Sequence, residues 1–277
     1  MKKRFILGLL ALLLISGAGG WMVLKYRWKD ILAPVTFMAP YALETHHADT
    51  LQVLMIGDSW AGMHHDFDTV LYHDLANILT MPVRVKSMGR GGAKSKEIYY
   101  LMCDRTASPS DLSGGYGIQK LLKQGADYCV VMAGINDAAA NLGTDYYCRN
   151  LQAVVDFLIH LKIKPVIMEM PFVDIRGLYR GKPLHDKLVD WFRSLMTQCR
   201  MYDVEPYSQA MLAKFQEMER NNEVVIVRKN LWNEKGCRDE RGLYLQDRIH
   251  LNSHGYTLLD SCLAVAISED WLRNRSH

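Results

Sequence analysis

Near-continuous apolar runs rich in Leu, Val, Ile and Met recur along the chain at 51–57, 82–88, 127–133 and 164–170. Strands buried on both faces of a sheet have this pattern, whereas half-exposed strands alternate apolar and polar residues. Each run is followed by a stretch with apolar residues at helical spacing, at 65–79, 94–103, 146–162 and 184–201. That rhythm predicts βαβ units and a parallel sheet. A weaker fifth strand at 223–227 follows a helical stretch at 205–220, and residues 254–272 close the chain with a helical pattern. The stretches 104–117 and 228–246 are polar and carry Gly, Ser or Asp, so they predict long loops, which in compact domains are often functional. No internal repeat or low-complexity tract interrupts the series. The expected architecture is α/β, a three-layer α/β/α sandwich with a mostly parallel sheet of about five strands.

The N-terminus departs from this rhythm. Lys2, Lys3 and Arg4 precede an uncharged run from Phe5 to Leu24, about the length a bilayer core requires. This predicts an export segment. Ala18-Gly19-Gly20 offers small residues suited to signal cleavage and secretion, but the run continues through Trp21-Met22-Val23-Leu24, which favours a retained transmembrane anchor. The first cysteine is Cys103, so no lipid-attachment cysteine follows the apolar run. The organisation expected is an anchor or signal peptide at 1–24, a stalk at 25–48 that partly packs on the domain, and an exported catalytic domain at 49–277, periplasmic or extracellular.

Composition narrows the function. With 277 residues, 49% of them hydrophobic and 23% charged, the chain can bury a sizeable core in one domain after the N-terminal segment. A net charge of +3 without a long basic stretch gives no reason to expect a nucleic-acid partner. Six cysteines (Cys103, Cys129, Cys148, Cys199, Cys237 and Cys262) lack any C-x-x-C spacing, so neither a zinc knuckle nor a redox pair is indicated, and no disulfide pairing is predicted.

Four short blocks carry candidate chemistry: Gly57-Asp58-Ser59 at the end of the first predicted strand, "SMGRGGAKS" from Ser87 to Ser95, "AGINDA" from Ala133 to Ala138, and "DRIHLNSHGY" from Asp247 to Tyr256. Three of the four fall directly beyond predicted strand ends, where open α/β sheets bind their ligands. In this order the blocks resemble those of the SGNH hydrolases, the GDSL-type esterases and lipases, with the resemblance running from Val53 to His254. It implies a flavodoxin-like topology, Ser59 as nucleophile, Asp247 and His250 as the rest of a triad, and an oxyanion hole built from Ser59, Gly92 and Asn136. It also implies that no cofactor or metal is needed. Two departures stand out: Trp60 replaces the commoner Leu or Ile, which would put an indole near the acyl site, and Arg90-Gly91 differ from the usual second block.

The chemistry suits these residue types. A serine hydroxyl needs a base within hydrogen-bond reach, and a neutral imidazole such as His250 can take its proton. Asp247, three residues earlier, can reach the other ring nitrogen and support the imidazolium. Asn136 can donate to a developing oxyanion without carrying charge, and glycine at position 92 would let the backbone approach it without a Cβ in the way.

Ser59 could merely cap the following helix, and Asp58 reads as a capping or supporting residue. "GRGGAKS" would need glycines where Met88 and Ala93 stand to form a phosphate loop, so no nucleotide partner is expected. "HHDFD" at 64–68 could hold a metal but reads as a solvated first turn of helix, and His46-His47 as solvated. Asn136-Asp137 could be a plain strand-to-helix turn. His254, just before Gly255, competes with His250 as base but looks structural. The expected substrate is an acylated carbohydrate, such as an O-acetylated envelope polysaccharide, or another small ester. The alternatives are a membrane-tethered O-acyltransferase, a lipase or lysophospholipase, and a non-catalytic glycan-binding protein.

Overall fold

Strand β1 (Leu51–Gly57) is buried at every position, as a central strand covered on both faces must be. It leads into helix α1 (Ser59–His64), a 3-10 turn (His65–Phe67) and α2 (Asp68–Leu79). Then come β2 (Val83–Gly89), α3 (Ser95–Met102), α4 (Leu112–Lys123), β3 (Tyr128–Met132), α5 (Ile135–Ala139), α6 (Thr144–His160) and β4 (Lys164–Met168). The chain continues through α7 (Gly177–Arg180), α8 (Leu184–Thr197), α9 (Glu205–Arg220), β5 (Val225–Val227) and α10 (Ser253–Arg275). This computed structural model describes residues 32–44, 49–103, 112–229 and 242–275, with positions 22 and 29.

The five strands are all parallel and lie in the order β2-β1-β3-β4-β5. The chain moves outward from β1 to β2 and then crosses to the other side at β3. That reversal opens a crevice beyond the carboxyl ends of β1 and β3. Helices α2 and α10 pack against each other, α2 also on β2 and α10 on β5, while α3, α4, α6 and α9 pack among themselves. The edge strand β2 alternates Val83, Val85 and Ser87 inward with Arg84 and Met88 outward, which is how a strand with one open side meets water. At its end Gly89 lies so close to α1 that a Cβ there would stand 2.1 Å from the Asp58 carbonyl oxygen and 2.4 Å from the Gly62 nitrogen.

Two compact units divide at Thr36 and Phe37. In the larger unit, which begins at Phe37, the Met38 N–H donates to the Tyr99 hydroxyl at 2.9 Å and the Tyr41 ring meets Phe157 edge-on. The apolar run 5–24, apart from Met22, lies outside the described residues, as do 104–111 and 230–241 of the two expected loops. Among the described residues, no helix is long and apolar enough to cross a membrane.

The parallel α/β expectation is met, and two local expectations are corrected. Helix begins at Ser59 rather than at residue 65, because Asp58 caps a short helix with no apolar period of its own. The expected loop 104–117 gives way to helix from Leu112, although Gly114, Gly115 and Gly117 disfavour one; intrinsic propensity is a weak prior that tertiary packing overrides. The short helices α5 and α7 have too few turns to show a period.

Candidate active site

The turn after β1 sets the nucleophile position. Asp58 leaves the strand with φ −88° and ψ −149°, and its carboxylate accepts the Trp60 N–H at 3.0 Å, so Asp58 rather than Ser59 caps α1. Its own N–H donates to the Met132 carbonyl at the end of β3, at 3.1 Å. Ser59, relieved of the capping role, directs its hydroxyl to His250 Nε2 at 2.9 Å. His250 Nδ1 lies 2.6 Å from Asp247 Oδ2, while Asp247 Oδ1 accepts the N–H groups of Ile249 and His250 at 2.9 and 3.0 Å. Burial would push the Asp247 carboxyl up, but these bonds outweigh it and hold the group below its ordinary range. With Nδ1–H donated to that carboxylate, Nε2 is left to accept the Ser59 proton.

Local backbone holds the histidine segment in a narrow turn. The Leu245 N–H donates to the His250 carbonyl at 2.8 Å, Arg248 donates back to Leu245 at 2.9 Å, and Tyr244 bridges Leu251. His254 lies exposed in the first turn of α10, and the histidine presented to Ser59 is His250.

Gly92 and Asn136 come from the next two strand ends. Gly92 has φ +76°, in the region that favours glycine, and a Cβ there would meet open space. The backbone conformation by itself calls for glycine at this position. The Asn136 amide donates to Asp58 Oδ2 at 3.2 Å and to the Ala93 carbonyl at 3.1 Å, which places it between the Ser59 turn and the Gly92 loop. Asp137, wholly buried, accepts the Ser95 hydroxyl at 2.6 Å and the Ser95 N–H at 3.0 Å. It thus ties the start of α3 to the start of α5, which the reading of Asn136-Asp137 as a plain turn did not foresee. Burial pushes the carboxyls of Asp58 and Asp137 up, to about 7 and about 6.

The solvated reading of 64–68 is overturned for His64. Its ring is fully buried, with Nδ1 3.1 Å from Asp68 Oδ1 and Nε2 2.6 Å from Asp260 Oδ1. Burial alone would lower its pKa, yet the two carboxylates raise it to about 9, so the ring is a cation at neutral pH. His65 remains 74% exposed. The Trp60 ring is buried, and its indole N–H donates to the Ile249 carbonyl at 3.1 Å, immediately ahead of His250. Tyr256 donates its hydroxyl to the Trp60 carbonyl at 3.0 Å. In the sequence, only the unusual residue after Ser59 hinted at this contact; nothing marked His64 and Asp260 as partners.

No protein-family model matches the chain, and no curated protein matches it in sequence. Solved structures do match. A lipase/acylhydrolase from Enterococcus faecalis aligns with a TM-score of 0.53 and 14% identity, over 79% of this chain and 96% of its own. An acetylxylan esterase from Geobacillus stearothermophilus aligns with a TM-score of 0.50 and 18% identity, over 78% and 94%. A psychrotrophic esterase from a Pseudoalteromonas species aligns with a TM-score of 0.50 and 13% identity, over 80% and 98%. At such identities the likeness speaks for architecture alone. The chain has the α/β fold of the SGNH hydrolases, the GDSL-type lipases and acylhydrolases.

Proposed function

We propose that this protein is a serine esterase that removes short acyl groups, acetyl foremost, from a carbohydrate of the cell envelope. The observation that carries the reading is the continuous hydrogen-bonded line from Ser59 Oγ through His250 to Asp247. Ser59 Oγ attacks the ester carbonyl while His250 Nε2 takes its proton, giving a tetrahedral intermediate and an imidazolium supported by Asp247. The oxyanion is received by the N–H groups of Ser59 and Gly92 and by the Asn136 amide. In the free protein that amide donates to Ala93 and Asp58, and a charge-assisted bond to an oxyanion competes with both. His250 returns its proton to the departing alcohol oxygen as the C–O bond breaks. It then takes a proton from water, whose oxygen attacks the acyl-enzyme, and finally restores the proton to Ser59.

The preference for a short acyl group rests on space. We take as the acyl end of the site a cavity at Asp58 and Trp60, the chain neighbours of Ser59. Ser59 is not among its walls; Met132, Ile135, Met168 and Met170 close it to about 10 Å³. That is room for about one water-sized group, which suits an acetyl methyl better than a long chain. The apolar run 5–24 supports an exported, membrane-tethered location, which is where envelope glycans are found. The test is hydrolysis of 4-nitrophenyl acetate, butyrate and octanoate and of acetylated sugars, beside Ser59→Ala, with mass spectrometry after a fluorophosphonate. Expected are turnover falling with acyl length, an adduct on Ser59, and loss in the variant on the order of 1,000-fold or more. No adduct in folded protein would remove the mechanism; octanoate turnover above acetate would remove the substrate class.

A further inference from the structure

Helix α8 is built inside out. A helix on a globular surface ordinarily turns its apolar stripe to the core and its polar face to water. In α8 the inward positions include Asp190 and Arg193 beside Phe192. The Asp190 carboxylate accepts Lys182 Nζ at 2.8 Å and the Tyr202 hydroxyl, and Arg193 donates to the Ala140 carbonyl at 3.1 Å. Leu184, Leu188, Trp191 and Leu195 are 75, 57, 54 and 53% exposed, and their spacing of four, three and four residues puts them on one face. Leu178 on the neighbouring α7 is exposed too. A contiguous apolar face on a helix whose polar side is already satisfied inside the protein marks a surface that meets something.

Charge says what. Arg180 lies just ahead of the helix, Lys187 falls on the flank of the stripe at 100° per residue, and Arg200 follows its end. The two carboxylates of the helix, Asp186 and Asp190, fall on the side away from the stripe. A tryptophan and leucines with Arg180, Lys187 and Arg200 at their margin, and with the helix's own carboxylates on its other side, are the composition of a helix lying in a lipid headgroup layer, although Arg200 also shares a cleft with Asp203 and Glu205. Pairing stripe to stripe with a second copy would bring Arg180, Lys187 and Arg200 towards the same cations of the other chain. The unit carrying α8 begins at Phe37, little more than a dozen residues beyond Leu24, a span of roughly 45 Å when fully extended. A chain anchored by residues 5–24 therefore keeps this unit within reach of a bilayer. We propose that the outward face of α8 docks on an anionic membrane surface, with Leu184, Leu188, Trp191 and Leu195 inserted at the headgroup boundary and Arg180, Lys187 and Arg200 facing phosphates.

The test reads position and needs no turnover, so it stands apart from the esterase reading. The full-length chain is reconstituted into phosphatidylcholine vesicles with and without phosphatidylglycerol, using lipids brominated high on their acyl chains. Tryptophan quenching is compared with that of Trp191→Phe; the chain has six tryptophans and the other five are common to both proteins. Expected is extra quenching in the parent equal to one tryptophan's share, present with phosphatidylglycerol and lost in the triple variant Leu184→Glu, Leu188→Glu, Leu195→Glu. Circular dichroism checks that each variant keeps its helix content, which solvent-facing substitutions leave unchanged. Equal quenching of parent and Trp191→Phe, or a difference that does not depend on the anionic lipid, would overturn the proposal. So would a disulfide-linked dimer formed by Leu188→Cys, which would assign the stripe to a second copy.

Discussion

Two histidine–aspartate pairs flank the same short helix and share the same separation, 2.6 Å, yet they are chemically opposite. At the start of α1, Ser59 faces His250, whose partner Asp247 is close in sequence; the side chains of His250 and Asp247 are 28 and 45% exposed. At its end, His64 meets Asp260, 196 residues away, and both side chains are completely buried. His250 has one carboxylate on one nitrogen and a hydroxyl on the other, so a proton can be passed along the line. His64 has a carboxylate on each nitrogen, so it holds its proton. The contrast teaches that the surroundings, and not the pair geometry, separate a group that can relay protons from an ionic strut. Together with Trp60 and Tyr256, the two pairs fasten α1 to the segment 247–260, which holds Ser59 and His250 in register.

The comparison breaks most directly at the histidines. His64→Ala strands the buried carboxylates of Asp260 and Asp68 and is expected to cost about 3–5 kcal/mol in urea unfolding. His250→Ala, on a partly exposed ring, is expected to change stability by less than about 1 kcal/mol while abolishing fluorophosphonate labelling. A neutral His64→Ala would sink the strut.

The pH dependence sharpens it. His64 titrates near 9 in the fold against 6.5 ordinarily, so its contribution to stability is fully present below pH 6.5 and is lost as pH rises through 9. Asp260, pushed up to about 6 by burial, changes below that window. Replacing the pair together, His64→Leu with Asp260→Leu, should recover much of the loss seen in His64→Ala. Across pH 6.5 to 9, the difference in urea midpoint between parent and double variant should move in the variant's favour. A constant difference would show that His64 does not titrate there.

The smallest expected effect belongs to Trp60→Phe, which removes the indole donor from the Ile249 carbonyl but keeps the ring. Stability should fall by about 1 kcal/mol. If the contact positions His250, kcat on 4-nitrophenyl acetate should drop severalfold with KM unchanged. A change in KM alone would show that Trp60 acts only as a wall of the cavity and does not position His250.

Much of the fold was legible because buried parallel strands are continuous apolar runs, and the start of β1 at Leu51 and the β4 start at Lys164 fall where the pattern changes. The candidate site residues could be nominated because each block is short and three of the four follow a strand end. Their supports could not. Asp137 reaches Ser95 across 42 residues and His64 reaches Asp260 across 196, and no local spacing reports either contact.

The sequence by itself determined which segments are strands and, α4 apart, which are long helices, since periodicity is a property of each segment, and it nominated Ser59, Gly92, Asn136, Asp247 and His250. Only the tertiary structure decided which groups lose their water, because burial depends on what packs from elsewhere in the chain. Burial pushes Asp58 and Asp137 up, while the partners that packing brings hold Asp247 down and keep the proton on His64 against the effect of burial. The tertiary structure also decided which way α8 faces. The apolar stripe of 184–195 is plain in the sequence, but a stripe records only that a helix has two faces; the partners that Asp190 and Arg193 find inside the protein turn the leucines and Trp191 outward.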